Sequence, residues 1–216
     1  MNYLFITTWF LFCCLQNIFS FQDNDHIVYK KNDMSIISNS DTIVFGAGCF
    51  WCVEAIFQKV EGVIDVLPGY CNGFTENPTY NQVCSGKSGH AEVARVIFNP
   101  NEVSLDHLFE VFWKTHDPTT LNRQGNDVGS QYRSGIFCLT KYQFDLAKQY
   151  KSKLELENIW SSPIVTEIEM LDKFYIAENY HHNYYNNNKN QGYCKYVIKP
   201  KIEKYNKVFQ TFNSDK

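Results

Sequence analysis

An apolar run, a turn of small residues and a helical repeat between residues 41 and 62 constrain the fold of this chain most. Residues 41–45 are predicted to form a buried strand, and Gly46-Ala47-Gly48 gives the backbone the freedom for a sharp turn after it. The next apolar side chains recur at helical spacing and predict one buried helix face: Val53, Ile56, Phe57 and Val60. The sequence therefore predicts a strand, a turn and a helix in succession, with Cys49 in the first helical turn.

The rest of the chain alternates between strand and helix patterns. Residues 90–98 and 164–171 each have the period of two that is typical of a strand. One helix between them is predicted to begin after Ser104 as N-cap, and another to open with a capping box of Thr140 and Gln143. This mixture of strands and helices favours an α+β fold, a two-layer sandwich with helices packed against a mixed sheet.

The length and composition indicate a single catalytic domain. A chain of 216 residues that is 44% hydrophobic and 16% aromatic can bury one sizeable core but is short for two. The net charge of -3 is spread along the chain without a basic stripe, which argues against nucleic-acid binding. Residues 116–134, rich in Asn, Gly, Gln and Arg, are too long for a simple connector and predict a functional loop within the domain.

The first 40 residues are predicted to lie outside this domain. Residues 1–20 carry no charge before a polar stretch and are typical of a signal or leader segment, although the absence of Lys and Arg also suits an anchor or a two-part organelle address. Residues 21–40 are predicted to be a linker or transit segment, and residues 41–212 the catalytic domain. We expect entry to the secretory pathway, with the final compartment left open. An intact N-terminus in cytosolic protein, found by N-terminal sequencing, would contradict this.

The cysteines offer both structural and chemical uses. A thiol reacts as its thiolate, and a place in the first turn of a helix lowers its pKa through unpaired backbone N–H groups and the helix dipole. Cys49 is therefore predicted to be reactive, whereas an isolated buried cysteine would act as a small apolar residue. The other cysteines after residue 40 are Cys52, Cys71, Cys84, Cys138 and Cys194.

The Cys49-Phe50-Trp51-Cys52 sequence is compatible with two further functions. A general dithiol–disulfide oxidoreductase would use both sulfurs, and a zinc-binding structural module would use them as half of a metal site. The zinc hypothesis is the weaker one, because the sequence contains no second C-x-x-C and no H-x₃₋₅-H. Glu92, in a β-favouring run, is predicted to lie either on a wet face or in a site that raises its pKa.

Several motifs, in the same order and over residues 41–205, resemble those of the A-type peptide methionine sulfoxide reductases. The motifs are Gly46-Ala47-Gly48-Cys49-Phe50-Trp51, Asn77-Pro78-Thr79-Tyr80, Val83-Cys84-Ser85-Gly86, Gly89-His90-Ala91-Glu92, His116-Asp117-Pro118-Thr119-Thr120 and the loop from Asn122 to Ser134. The resemblance implies reduction of the S epimer of methionine sulfoxide, free or in proteins, on a fold with a ferredoxin-like core. Each sulfoxide epimer has its own enzyme.

The resemblance also assigns roles to residues. It implies that the Cys49 thiolate attacks the sulfoxide sulfur and that Glu92 supplies a proton to the oxygen. Tyr80 and Tyr132 would donate hydrogen bonds to that oxygen. Three further assignments concern the substrate: Asp127 orients it or its water, and Phe50 and Trp51 form an apolar wall for its methyl group, where core packing is the alternative.

The cysteine sulfenic acid left on Cys49 must be reduced for another turnover. The segment Gly192-Tyr193-Cys194 resembles the family's resolving segment, so Cys194 is expected to form a disulfide with Cys49, with Cys52 and Cys71 as alternatives. Cys52 is less favoured than Cys194 because a disulfide one helical turn away is geometrically awkward, and Cys71 is the least favoured of the three. The resemblance implies thioredoxin as reductant, or dithiothreitol in vitro. It also implies no bound cofactor or metal, and we expect a monomer that acts on oxidised proteins.

Overall fold

The computed structural model describes residues 28–29 and 40–210. The strands are β1 (Val28–Tyr29), β2 (Asp41–Ala47), β3 (Val63–Cys71), β4 (Ala91–Phe98), β5 (Arg123–Gln124), β6 (Asp127–Val128), β7 (Ser134–Cys138), β8 (Glu167–Met170) and β9 (Phe174–Ile176). The α-helices are α1 (Phe50–Phe57), α2 (Tyr80–Cys84), α3 (Leu105–Thr115), α4 (Lys141–Leu156), α5 (Tyr184–Asn187) and α6 (Lys199–Tyr205). Two π-helical segments, Cys194–Ile198 and Asn206–Gln210, flank α6.

Seven strands form one mixed sheet in the order β1-β9-β3-β4-β2-β7-β8. All neighbours run antiparallel except β7 and β8, which are parallel. One apolar cluster joins β2 and β4 to α1, α3, α4 and α6, so these helices cover the same face of the sheet. The predicted α+β sandwich with a mixed sheet, in one domain, is confirmed.

The strand, turn and helix predicted at the start of the domain are present as β2 and α1. Phe45 on β2 stacks on Phe57 of α1 at a ring-centroid distance of 4.9 Å and on Phe112 of α3 at 5.0 Å. Aromatic pairs of this kind add to the free energy gained by burying the rings. This packing fixes α1 relative to the centre of the sheet, and Cys49 directly precedes this helix.

Helix capping agrees with the sequence prediction at one helix and differs at another. The Ser104 hydroxyl accepts a hydrogen bond from the His107 amide, as expected for the N-cap of α3. Thr140 likewise caps α4, but Gln143 does not return the bond to complete a capping box. Its side chain instead accepts from the Leu139 amide at 2.8 Å and donates to the Thr42 carbonyl at 2.8 Å. The fully buried Gln143 therefore links α4 to β2.

The N-terminal predictions fall largely outside the described residues. The leader, residues 1–20, lies wholly outside them, and so does the segment at 21–40 apart from Ser40 and the two residues of β1. Those two residues pair with Phe174 and Tyr175 of β9 at the edge of the sheet. Within residues 28–29 and 40–210, none of the helices combines the length and apolar character needed to cross a membrane.

Candidate active site

Cys49 lies at the junction between β2 and α1. Gly48 before it has φ +87, and a Cβ at that position would come within 2.6 Å of Cβ of Gln124, so only glycine fits this turn. The Gln124 amide is itself held by two hydrogen bonds with the backbone of Asp117, at 3.2 and 3.0 Å. The long loop thus packs on the turn that carries Cys49.

Cys49 is the N-cap of α1, one position before the predicted first turn. Its φ of -55 and ψ of 124 are non-helical, and its carbonyl accepts from the Cys52 amide at 3.0 Å. Cys52 is then the third residue of the helix, and the two thiols interact closely enough to perturb each other's pKa. The sequence prediction disfavoured a Cys49–Cys52 disulfide on the assumption that both residues lie inside one helical turn. Cys49 instead precedes the helix, so this objection does not apply.

The pKa of the Cys49 thiol differs from the sequence prediction. Burial raises it well above the usual value, and the neighbouring Cys52 and Glu92 act in the same direction. The prediction that the helix N-terminus lowers the pKa of Cys49 is therefore wrong. The residue is only 6% exposed, and the effect of burial on its pKa is the larger one. The interaction with Cys49 instead lowers the pKa of Cys52 to about 7.

Glu92 projects from β4 toward the start of α1. Its Oε2 accepts a hydrogen bond from the Phe50 amide at 3.3 Å, and its Oε1 has no hydrogen-bond partner among the described residues. The residue is 1% exposed. Burial raises the pKa of this carboxyl to about 8, so Glu92 is mainly protonated at neutral pH. Of the two environments considered from the sequence, the structure supports the buried site.

Tyr80 and Tyr132 lie beside Glu92. Burial has the largest effect on the pKa of both phenols and raises it, and the charge of Glu92 raises it further. Cys49 contributes to the raised pKa of Tyr132 as well. Both tyrosines pack at the edge of the apolar cluster that contains Cys49. The two phenols thus pack against the cluster that contains Cys49, and the Glu92 carboxyl acts on the Cys49 thiol.

Asp127 lies in the same region but is engaged by another side chain. Its Oδ2 accepts a hydrogen bond from the Tyr193 hydroxyl at 2.7 Å, and that hydroxyl lies 3.9 Å from Sγ of Cys52. Tyr193 therefore bridges the loop strand β6 and the cysteine pair. Its neighbour Cys194 is fully buried in the same cluster as Cys49 and Cys52.

Phe50 and Trp51 belong to an aromatic cluster centred on His181. The Phe50 ring is fully buried, 4.9 Å from the His181 ring. The Trp51 indole donates to Nδ1 of His181 at 3.1 Å and stacks on Tyr184 at 3.7 Å. Burial lowers the pKa of His181 to about 4, so the ring is neutral and can accept this bond.

Comparison with known proteins agrees with this geometry. The family described as peptide methionine sulfoxide reductase matches residues 41–213. A peptide methionine sulfoxide reductase MsrA of Trichodesmium erythraeum is 52% identical over 169 residues, which are 78% of this chain and 96% of that protein. One of Deinococcus radiodurans is 50% identical over 166 residues, 77% of this chain and 81% of that protein. The chain belongs to the A-type peptide methionine sulfoxide reductases.

Solved structures give the same result. Reduced Mxr1 of Saccharomyces cerevisiae is 34% identical, with a TM-score of 0.68 over 74% of this chain and 91% of that one. Methionine sulfoxide reductase A of Corynebacterium diphtheriae is 35% identical, with a TM-score of 0.65 over 73% of this chain and 79% of that one. The reductase function and the fold predicted from the resemblance are confirmed.

Two residues that support the reductase site were missed in the sequence. Glu178 accepts from the Tyr80 amide at 2.9 Å and from the Tyr70 hydroxyl at 2.8 Å, and its Oε2 lies 3.8 Å from Nε2 of His181. Glu178 and His181 thereby join the segments that carry Tyr80 and Trp51. Their spacing at i and i+3 was visible in the sequence, but nothing in one sequence indicates which distant side chains they contact.

Cys71 lies away from the site. It belongs to an apolar cluster with Val44 and Phe137, whereas the preceding Tyr70 belongs to the cluster with Cys49. Since successive residues of a strand point to opposite faces, Cys71 faces the other side of the sheet. Burial also raises the pKa of its thiol well above the usual value. Among the residues the structure describes, no group of three or more His, Cys, Asp or Glu side chains could hold a metal ion.

Glu54 is a buried carboxylate that fastens α5 to α1. It accepts from the amides of Asn183 at 2.7 Å and Tyr184 at 3.3 Å, where Asn183 has a left-handed backbone. Replacing Glu54 with Ala is expected to lower the free energy of unfolding by about 1–3 kcal/mol, because two amides lose their acceptor. Urea unfolding measures this change in the free energy of unfolding, with replacement of the exposed Glu61 by Ala as control. An equal effect of both substitutions would contradict the role of Glu54 in holding α5.

The same carboxyl gives this stability a pH dependence. Burial raises the pKa of Glu54 to about 7, so between the usual carboxyl range and pH 7 the folded state binds more protons than the unfolded state. Its contribution to stability is therefore lost as the pH rises through that window. Glu54→Gln, which cannot ionise, is expected to lack that part of the pH dependence.

Proposed function

We propose that this reductase acts on the S epimer of methionine sulfoxide through attack of the Cys49 sulfur on the sulfoxide sulfur. The observation that carries the proposal is the buried, protonated Glu92 beside that thiol. Its unpaired Oε1 can give a proton to the sulfoxide oxygen, whose charge grows as the sulfur–oxygen bond breaks. The products of this step are methionine and a sulfenic acid on Cys49.

The remaining side chains serve binding and charge stabilisation. Tyr80 and Tyr132 donate hydrogen bonds to the sulfoxide oxygen, because their raised pKa values keep them protonated. Phe50 and Trp51 provide the apolar contact for the substrate methyl group. Asp127 helps to orient the substrate indirectly. It accepts a hydrogen bond from the Tyr193 hydroxyl and so fixes the position of Tyr193.

Resolution of the sulfenic acid proceeds in two steps. The Cys52 thiol is in contact with Cys49 and has the lower pKa, so it attacks first and gives the Cys49–Cys52 disulfide and water. Cys194 then attacks Cys52, which frees the Cys49 thiol and leaves a Cys52–Cys194 disulfide. The charge on Cys52 acts on the pKa of Cys194, which supports their proximity. This order differs from the direct Cys49–Cys194 disulfide expected from the sequence.

The reductant for the final disulfide is a thioredoxin-type dithiol, or dithiothreitol in vitro. A dithiol returns the enzyme to its reduced state by two thiol–disulfide exchanges, with no bound cofactor. The protein acts as a monomer on oxidised proteins or on free methionine sulfoxide.

Disulfide mapping after one turnover tests the two-step resolution. Wild type given one equivalent of S-sulfoxide is expected to hold a Cys52–Cys194 disulfide, and Cys194→Ser a Cys49–Cys52 disulfide. Cys52→Ser is expected to retain a sulfenic acid that a dimedone probe captures, because the first interceptor is absent. In Cys52→Ser, a Cys49–Cys194 disulfide could instead form at the same rate as thiols are lost in wild type. That result would support direct attack of Cys194 on the Cys49 sulfenic acid.

A further inference from the structure

A small cavity lies on the α6 side of Cys52. Its volume is about 10 Å³, at the lower limit for one water molecule, and Cys49 does not line it. Lys201 of α6 lines this cavity together with Cys52, and the carbon side chains around them come from β2, α1 and α3. Cys52 and the cationic residue Lys201 thus border the same small cavity, and the Cys49 thiol and the Tyr193 hydroxyl are the other neighbours of the Cys52 thiol.

His116 lines the same cavity but supplies no charge. Its Nδ1 lies 2.7 Å from the Phe112 carbonyl and its Nε2 lies 2.7 Å from the Ser134 hydroxyl. Burial lowers the pKa of this imidazole to about 4, and the charge of Lys201 contributes to the lowering. A neutral ring with both nitrogens engaged leaves Lys201 as the cation of this cavity.

We propose that Lys201 is a positioning residue for the second redox step, in which its ammonium group stabilises the Cys52 thiolate that attacks the Cys49 sulfenic acid. The proposal rests on the function assigned above to Cys52. In this step the Cys52–Cys49 sulfur bond forms, the sulfur–oxygen bond of the sulfenic acid breaks, and the hydroxide leaves as water with the proton that the Cys52 thiol has lost.

The ionisable groups around Cys52 act in both directions. The contact with Cys49, the charge of Lys201 and the Tyr193 hydroxyl lower the pKa of Cys52, while burial and the charge of Asp127 raise it. Glu92 is also close, because the charge of Cys52 raises its pKa. Lys201 is the only formal cation in this set, and its side chain comes from a helix that carries none of the residues that contact the sulfoxide.

Titration of Cys52 in the full-length protein tests the proposal. The difference in ultraviolet thiolate absorbance between Cys49→Ser and Cys49→Ser/Cys52→Ser follows the ionisation of Cys52 alone. In the Cys49→Ser background, Lys201→Met is expected to raise the midpoint by about one pH unit, because a nearby charge shifts a pKa by this order. Lys201→Arg should restore it. Lys199→Met, on the same helix but paired with the surface Glu203 at 3.8 Å, should leave it unchanged.

The same change should slow disulfide formation. A rise of one unit from a pKa of about 7 lowers the thiolate fraction at neutral pH about fivefold. Stopped-flow thiol loss after methionine release should therefore be about fivefold slower in Lys201→Met, or less if the thiolate gains nucleophilicity as its pKa rises. Lys201→Gln provides a second neutral variant, and thermal unfolding shows which variant remains folded.

The outcomes separate this inference from the function on which it rests. An unchanged Cys52 midpoint in a folded Lys201→Met or Lys201→Gln protein would overturn the role of Lys201. A second outcome is a shifted Cys52 midpoint in Lys201→Met together with a wild-type rate of thiol loss in Cys52→Ser. It would keep Lys201 as the group that lowers the pKa of Cys52, but it would remove Cys52 from the resolving pathway and so contradict the proposed step. A shifted midpoint together with slowed disulfide formation supports both.

Discussion

Replacement of Cys49 with Ser is expected to abolish methionine formation, both in a single turnover and in the presence of dithiothreitol. The hydroxyl is a much weaker nucleophile than the thiol and cannot form the sulfenic acid that stores the oxygen. We expect that neither Cys52 nor Cys194 replaces it, because Glu92 is held at the start of α1 by the amide of Phe50, the residue after Cys49. Chromatographic measurement of methionine from S-methionine sulfoxide determines the effect.

Cys138→Ala is the matched control for this variant. Cys138 is a fully buried cysteine of β7 that packs in the apolar cluster between the sheet and the helices. Its loss is expected to lower stability modestly and to leave the yield of methionine per folded enzyme unchanged. Full activity in Cys49→Ser would show that another sulfur attacks the sulfoxide.

Replacement of Glu92 with Gln is expected to slow methionine formation by about 10²–10⁴-fold, the range for loss of a general acid. Glutamine preserves the shape and can still accept the hydrogen bond of the Phe50 amide, but it has no acidic proton for the sulfoxide oxygen. A dithiol–disulfide oxidoreductase that uses Cys49 and Cys52 would not need this proton. Insulin disulfide reduction by the same variant therefore separates the two chemistries.

Glu54→Gln is the control, because Glu54 is also a buried carboxyl with a raised pKa but contacts the start of α5 instead of the cysteines. It should retain nearly the wild-type rate of methionine release. A rate reduction shared by both variants would indicate a general effect of neutralising buried carboxyls, and would count against Glu92 as the proton donor.

The raised pKa of Glu92 predicts a pH dependence for the same step. The carboxyl is protonated below about pH 8, so wild-type methionine release should decline as the pH rises through that value. Glu92→Gln should lack this descending limb. The sign for stability is the same: because the folded-state pKa is raised, the folded protein loses stability relative to Glu92→Gln as the pH rises toward 8.

Local patterns were sufficient for the elements that carry the two main side chains. The apolar run and the glycines before Cys49 predict β2, the turn and α1, and the period of two places Glu92 within β4. Both predictions depend on neighbours in sequence, whose spacing directly determines the faces of a strand or helix. The order of the motifs then sufficed for the family.

Features that depend on burial by distant parts of the chain could not be predicted from local sequence patterns. The helix N-terminus argument for a low Cys49 pKa failed because desolvation by surrounding elements outweighs it. Gln143 looked like part of a local capping box, but it bonds to β2, about one hundred residues away in sequence. The contact between Cys49 and Cys52 followed from the N-cap backbone of Cys49, which the sequence placed inside the helix.

The most direct test of the account is a single turnover of the pre-reduced full-length protein with S- and R-methionine sulfoxide, without any external reductant. With one equivalent of sulfoxide, we expect close to one methionine per enzyme from the S epimer and none from the R epimer, with a Cys52–Cys194 disulfide as the matching product in wild type. Equal methionine from both epimers, or methionine formed without the loss of two thiols per enzyme, would contradict this mechanism.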